Sequence, residues 1–133
     1  MTIFADTSAF LAMLDVRDKN APAAHIIWMQ LVQEDDVVIT SSYVLLEAFA
    51  LIQNRLGLIA VRDFQDKIVP MLEIEWVGPS LYQAGLAALL TANRRQLSLV
   101  DCVSFETCRR NGIDTVFAFD QHFIEQGFTC LLP

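Results

Sequence analysis

The chain has 133 residues, enough for one compact domain spanning 1–133. Charged residues make up only 19% and hydrophobic ones 54%, which excludes a disordered chain and leaves apolar surface to be covered by a second subunit. The net charge of −7 excludes a general basic nucleic-acid binder, so phosphates can be held only through local arginines or bound cations. The three cysteines, Cys102, Cys108 and Cys130, fit no zinc spacing and imply a reducing compartment. The opening residues lack a signal-peptide pattern, and no apolar run reaches the ~18 residues of a membrane span. A cytoplasmic protein without membrane contact is expected.

Thr2 to Ala5 reads as a first strand, and Ser8 to Leu14 as a short helix. Asp18-Lys19-Asn20 is a turn, and Ala21-Pro22 opens a helix running to about Gln33. Val37 to Thr40 reads as strand two; Ser41 or Ser42 then caps a helix that ends before Gly57. One helix is predicted over Leu58 to Val69, stopping near Pro70, and strand three over Glu73 to Val77. Pro79 opens a helix to about Asn93, and Ser98 opens another that closes at Asn111-Gly112. Thr115 to Phe119 is strand four, Gln121 to Glu125 a short helix, and Phe128 to Leu131 a last strand. Strands separated by helices predict an α/β domain: a mainly parallel sheet of four to five strands with helices on both faces.

In such a sheet, ligands bind beyond the carboxyl ends of the strands. Asp6 follows strand one and Asp120 follows strand four. Each has two readings, a helix cap or one wall of a site. Asp101 lies three residues after Ser98, close to a capping-box pattern, and an acid there also suits the helix dipole. Glu47 is the only charge between Val37 and Asn54. Its neighbours are nearly all apolar, so the helix is expected to be largely buried and its lone Glu to need a partner; the other reading is a stripe of Tyr43, Glu47, Ala50 and Asn54 facing water. His122, two residues past Asp120, is a secondary candidate, whereas His25 reads as a packed or surface histidine. Arg94-Arg95 and Arg109-Arg110 flank the helix of Asp101 and suit either phosphate contact or plain solubility. There is no Ser/His/Asp or Cys/His arrangement for a covalent nucleophile and no glycine-rich phosphate loop.

Taken together and in this order, "IFADTSAF", "SYVLLEAFAL" and "LSLVDCVSFETCRRNGIDTVFAFDQHF" resemble the PIN-domain family, and within it the short stand-alone toxins of the VapC type. The likeness covers nearly the whole chain. It implies a three-layer α/β/α fold and a site made of Asp6, Glu47, Asp101 and Asp120 that holds Mg²⁺ or Mn²⁺. It also implies an endoribonuclease acting on an RNA substrate, a homodimer and an inhibiting antitoxin protein. Ser8 matches the small polar residue usual after the first acid, where it orients Asp6 or a ligand. Ala118 departs from the family, which often carries Thr or Ser two residues before the last acid.

Charge supplies the chemistry. Two carboxylates about 5 Å apart repel by roughly 3 kcal/mol at an effective dielectric near 20, so four acids in one place call for a cation. Hard oxygen donors suit Mg²⁺ or Mn²⁺, and the expected reaction is in-line attack of water on a phosphodiester without a covalent enzyme intermediate. Rival readings are a haloacid-dehalogenase-type phosphatase, which usually has a second aspartate where Ser8 stands, and a response-regulator receiver, which usually shows paired acids after strand one and a late lysine. A non-catalytic PIN-like scaffold is the remaining alternative, kept open by Ala118.

Overall fold

The computed structural model describes residues 1–133. Its five strands are β1 (Thr2–Ala5), β2 (Val37–Ser41), β3 (Leu72–Glu75), β4 (Thr115–Phe117) and β5 (Thr129–Cys130). The helices are α1 (Thr7–Leu14), α2 (Ala21–Gln33), α3 (Ser42–Leu56), α4 (Leu58–Asp63), α5 (Pro79–Ala92), α6 (Leu99–Arg110) and α7 (Gln121–Glu125). All strand pairs are parallel, in the order β3-β2-β1-β4-β5, and helices cover both faces in three layers. The predicted architecture is therefore the observed one.

Strand β1 sits at the centre because it is apolar on both faces: Ile3, Phe4 and Ala5 are completely buried, as a strand between two helix layers must be. At one edge, β3 carries Glu73 and Glu75, charges that discourage pairing with a further strand. The ambiguity between two serines resolves cleanly. Ser41 caps α3 by accepting from the Val44 amide at 3.1 Å, while Ser42 reaches across to accept from Val77 N at 2.9 Å. Helices α5 and α6 pack closely at Gly85, where a Cβ would collide with the Val103 side chain and lie 3.2 Å from its Cα and N.

Several elements differ from expectation; β3 and β5 do so only at their ends, Leu72–Glu75 and Thr129–Cys130 against Glu73 to Val77 and Phe128 to Leu131. The helix predicted over Leu58 to Val69 breaks after Asp63 into one wide turn, Phe64–Ile68, and one tight turn, Val69–Met71. The wide turn closes by a bond from Val69 N to Phe64 O. Pro70 offers no amide to continue a regular helix, and Phe64 is fully buried with its ring centroid 5.1 Å from Phe10 and 5.0 Å from Phe49. Strand β4 stops at Phe117 rather than Phe119, because Ala118 and Phe119 leave the sheet for the cleft described next. Helix α3 is also less buried than predicted: only Val44, Ala48 and Ile52 are inside, one stripe at helical spacing. The Glu47 stripe flanks it, with Tyr43 and Glu47 half-buried and Ala50 and Asn54 exposed.

Candidate metal centre

The chain runs from β1 outward to β2 and β3, then returns to the other side of β1 to lay down β4 and β5. Strand order therefore reverses between β1 and β4, and the crevice beyond their carboxyl ends is where such sheets bind ligands. Asp6 is the first residue after β1, and its amide donates to Phe117 O at 3.0 Å, prolonging the β1–β4 pairing to the lip of the crevice. Asp120 follows β4 on the opposite lip. Asp101 enters from the first turn of α6.

Each of these acids is a helix cap, as the conservative reading held. Asp6 Oδ2 accepts from Ser8 N at 3.1 Å. Asp120 Oδ1 accepts from His122 N at 2.9 Å. Asp101 and Ser98 form a complete capping box, with reciprocal bonds of 3.1 and 3.0 Å. Capping and site are compatible, because each cap uses one carboxylate oxygen and leaves the other without a hydrogen bond. The caps orient the carboxylates; the free oxygens are available to a ligand.

Ser8 braces this arrangement. Its hydroxyl donates to Asp6 Oδ2 at 2.7 Å and accepts from Phe119 N at 2.9 Å, across 111 positions of sequence. One side chain thus fixes the Asp6 carboxylate and ties it to the backbone leading into Asp120. Ala118, beside that segment, is buried.

The electrostatics are those of crowded acids. Burial pushes the Asp6 carboxyl up to about 6; the two Ser8 bonds oppose the shift, and the charges of Asp101 and Asp120 add to it. Asp101 is raised as well, first by burial and then by Asp120, against the pull of Ser98 and of His122. His122 Nδ1 lies 3.2 Å from Asp120 Oδ1 and 3.7 Å from Asp101 Oδ2. It is buried and has no hydrogen-bond partner. Donor atoms of Asp101, Asp120 and His122 all fall within 4.8 Å of one another. A buried imidazole nitrogen facing two crowded carboxylates offers the donor types that a divalent cation takes, so the residues fit a metal.

Other candidates fall elsewhere. Glu47 sits in the second turn of α3, which starts where β2 ends; it is half-buried and is not one of the donors gathered within 4.8 Å. Arg109 is engaged by Glu106, Gln126 and the Phe128 ring, and Arg110 by Ser80, so this pair braces the fold. Arg94 makes an exposed pair with Glu125 at 3.1 Å, and Arg95 is exposed. His25 is exposed and contacts Met13 O. His122 carried a readable signal that sequence reasoning underweighted: an aspartate that accepts from the amide two residues on folds that residue back beside its own carboxylate.

Comparison with known proteins supports the fold. The chain is 31% identical over 132 residues to the 23S rRNA-specific endonuclease VapC20 of Mycobacterium tuberculosis, covering 98% of both chains. The crystal structure of Mycobacterium tuberculosis VapC20, described as a sarcin-ricin loop cleaving toxin, superposes with a TM-score of 0.88 at 30% identity, over 98% of this chain and 99% of that one. VapBC2 from Rickettsia felis, bound to a promoter DNA fragment, shares the fold at a TM-score of 0.73 and 13% identity, with both chains fully covered. The PIN-domain family model matches residues 3–128, and with the acid-lined crevice at the β1–β4 reversal already in view, the chain belongs to the PIN-domain family.

Proposed function

We propose that the chain, acting as one domain, is a divalent-metal-dependent endoribonuclease and the toxin of a toxin–antitoxin pair. The observation that carries this reading is the convergence of Asp6, Asp101 and Asp120, from three separate elements, on the crevice between β1 and β4. The 31% identity over nearly the full length to a 23S rRNA-specific endonuclease supports RNA as the substrate, and the toxin named in the similar crystal structure supports a toxin with an inhibiting partner protein.

Carboxylate oxygens of the three aspartates would hold the ion, and Glu47 on α3 would add a fourth acid. When bound, Mg²⁺ or Mn²⁺ lowers the pKa of water and neutralises charge on a phosphoryl oxygen. Ser8 keeps the Asp6 carboxylate in one rotamer, so no reorganisation is needed when the substrate arrives. Arg94 and Arg95, just ahead of α6, meet the phosphate backbone of the RNA. With the acids neutralised by the ion, a protein of net charge −7 accepts a polyanion. A cysteine nucleophile has no place here: burial pushes the Cys108 thiol up to about 12 and raises Cys102 and Cys130 as well.

Incubation of the protein with ribosomal and total cellular RNA tests the proposal. Discrete fragments are expected with Mn²⁺ or Mg²⁺, and none with a chelator or with Asp6→Asn. If no RNA is cut under any metal, the non-catalytic scaffold that Ala118 keeps open replaces the nuclease.

The chain is also proposed to form a homodimer. Leu46, Leu58, Ile59 and Trp76 are more than half exposed, on α3, on the adjoining α4 and beside the Ser42–Val77 link. Sedimentation at tens of micromolar, roughly the range in which modest interfaces form, is expected to show a dimer; monomer alone at that concentration overturns this part.

A further inference from the structure

We infer that His122 is a ligand of the same ion through Nδ1, which makes the centre a mixed nitrogen–oxygen site that prefers Mn²⁺ to Mg²⁺. The inference rests on the metal-dependent reading above and adds a donor and a selectivity to it.

Local chain geometry delivers the ring. Asp120 caps α7 by accepting from the His122 amide at 2.9 Å, and this turn returns the imidazole over the carboxylate that caps it. Nδ1 ends 3.2 Å from Asp120 Oδ1 and 3.7 Å from Asp101 Oδ2. An octahedral ion with ligands at about 2.1 Å places adjacent donors about 3 Å apart and opposite donors about 4.2 Å apart. The observed separations, all within 4.8 Å, lie close to that frame. The side chain is four-fifths buried, so the ring is held in place by its surroundings.

Nδ1 is buried, lies within 3.7 Å of both carboxylates and is bonded to neither. That places it as a neighbouring donor to a cation shared with the two acids. Selectivity follows from donor chemistry. Mg²⁺ favours all-oxygen sites and retains its waters. Imidazole suits later metals, and Mn²⁺ accepts both donor types.

The test is pulsed electron paramagnetic resonance of the Mn²⁺-loaded protein, with calorimetry of Mn²⁺ and Mg²⁺ binding. A nitrogen coupling from directly bound imidazole is expected in the wild type and absent in His122→Ala and His122→Gln. Both variants should bind Mn²⁺ about tenfold more weakly or worse, a loss of the size usual for disturbing a metal's surroundings, with little change for Mg²⁺. The coupling is read on the unmodified protein, so the outcome does not depend on either variant folding. Bound Mn²⁺ without nitrogen coupling, or variants that keep wild-type Mn²⁺ affinity, removes His122 from the coordination sphere and leaves the aspartate site standing. A wild type that binds Mg²⁺ but not Mn²⁺ overturns the inference alone, and one that binds neither ion overturns the metal reading as well.

Discussion

Asp101→Asn is expected to lower metal-dependent RNA cleavage by at least about a hundredfold, the scale of losing one charge-stabilising group at a reacting centre, while the fold survives. Asparagine keeps an oxygen that can accept from Ser98 N, so the capping box of α6 is weakened rather than lost. The helix-dipole contribution of the charge is worth only about 0.3–1 kcal/mol. Removing one of several crowded carboxylates offsets part of that cost, since Asp101 is itself raised by burial and by Asp120. Cleavage and melting curves would be measured together, with and without Mn²⁺. At ten times its dissociation constant, one bound ion adds about 1.4 kcal/mol to stability, and the variant should show less of this gain. Should it retain full cleavage and an unchanged metal-induced shift, Asp101 is a cap and nothing more.

Asp6→Asn is expected to stabilise the metal-free protein at neutral pH even though it destroys activity. The Asp6 carboxyl is pushed from 3.8 up to about 6 in the folded state, chiefly by burial. The folded chain therefore binds its proton more tightly than the unfolded chain does. Stability from this group is complete below the unfolded value and is lost as pH rises through the folded one. At about 1.4 kcal/mol for each tenfold change in proton affinity, the loss is about 3 kcal/mol, or on the order of 10 °C in melting temperature for a domain of this size. Melting in chelator from pH 4 to pH 8 should show the wild type falling across that window and Asp6→Asn nearly flat. The curves should converge at the acid end. A wild type as stable at pH 8 as at pH 4 would show that folding does not raise the Asp6 carboxyl. Added Mn²⁺ should restore the wild type at neutral pH and leave the variant unchanged.

The strands and most helices were legible because their signals are local. An unbroken apolar run at Ile3-Phe4-Ala5 marks a strand covered on both faces, and Ser41, Pro79 and Ser98 mark helix starts by their own chemistry. The turn at Phe64–Ile68 was not legible, since it arises from Phe64 seating between Phe10 and Phe49, rings from distant segments. Burial of α3 was over-read because a helix rich in Leu and Phe looks buried all round, yet only the Val44–Ala48–Ile52 stripe is inside. The acids themselves could be named, but their dual use as caps and as open oxygens needed the geometry of each hydrogen bond. The role of Ser8 was half visible: its proximity to Asp6 is local, and its hold on Phe119 is not.

That hold bears on biosynthesis. Asp6 leaves the ribosome before Asp101, Phe119 and Asp120, which lie far later in the chain. The hydrogen bond from Phe119 N to Ser8 Oγ spans 111 positions, and β1 gains its β4 neighbour only when Thr115–Phe117 has been made. A nascent chain that ends before Asp120 carries the acid of β1 without its opposing lip. A chain cut short before Asp120 therefore lacks the proposed centre, and the two lips of the crevice meet only once β4 and the turn after it have joined β1.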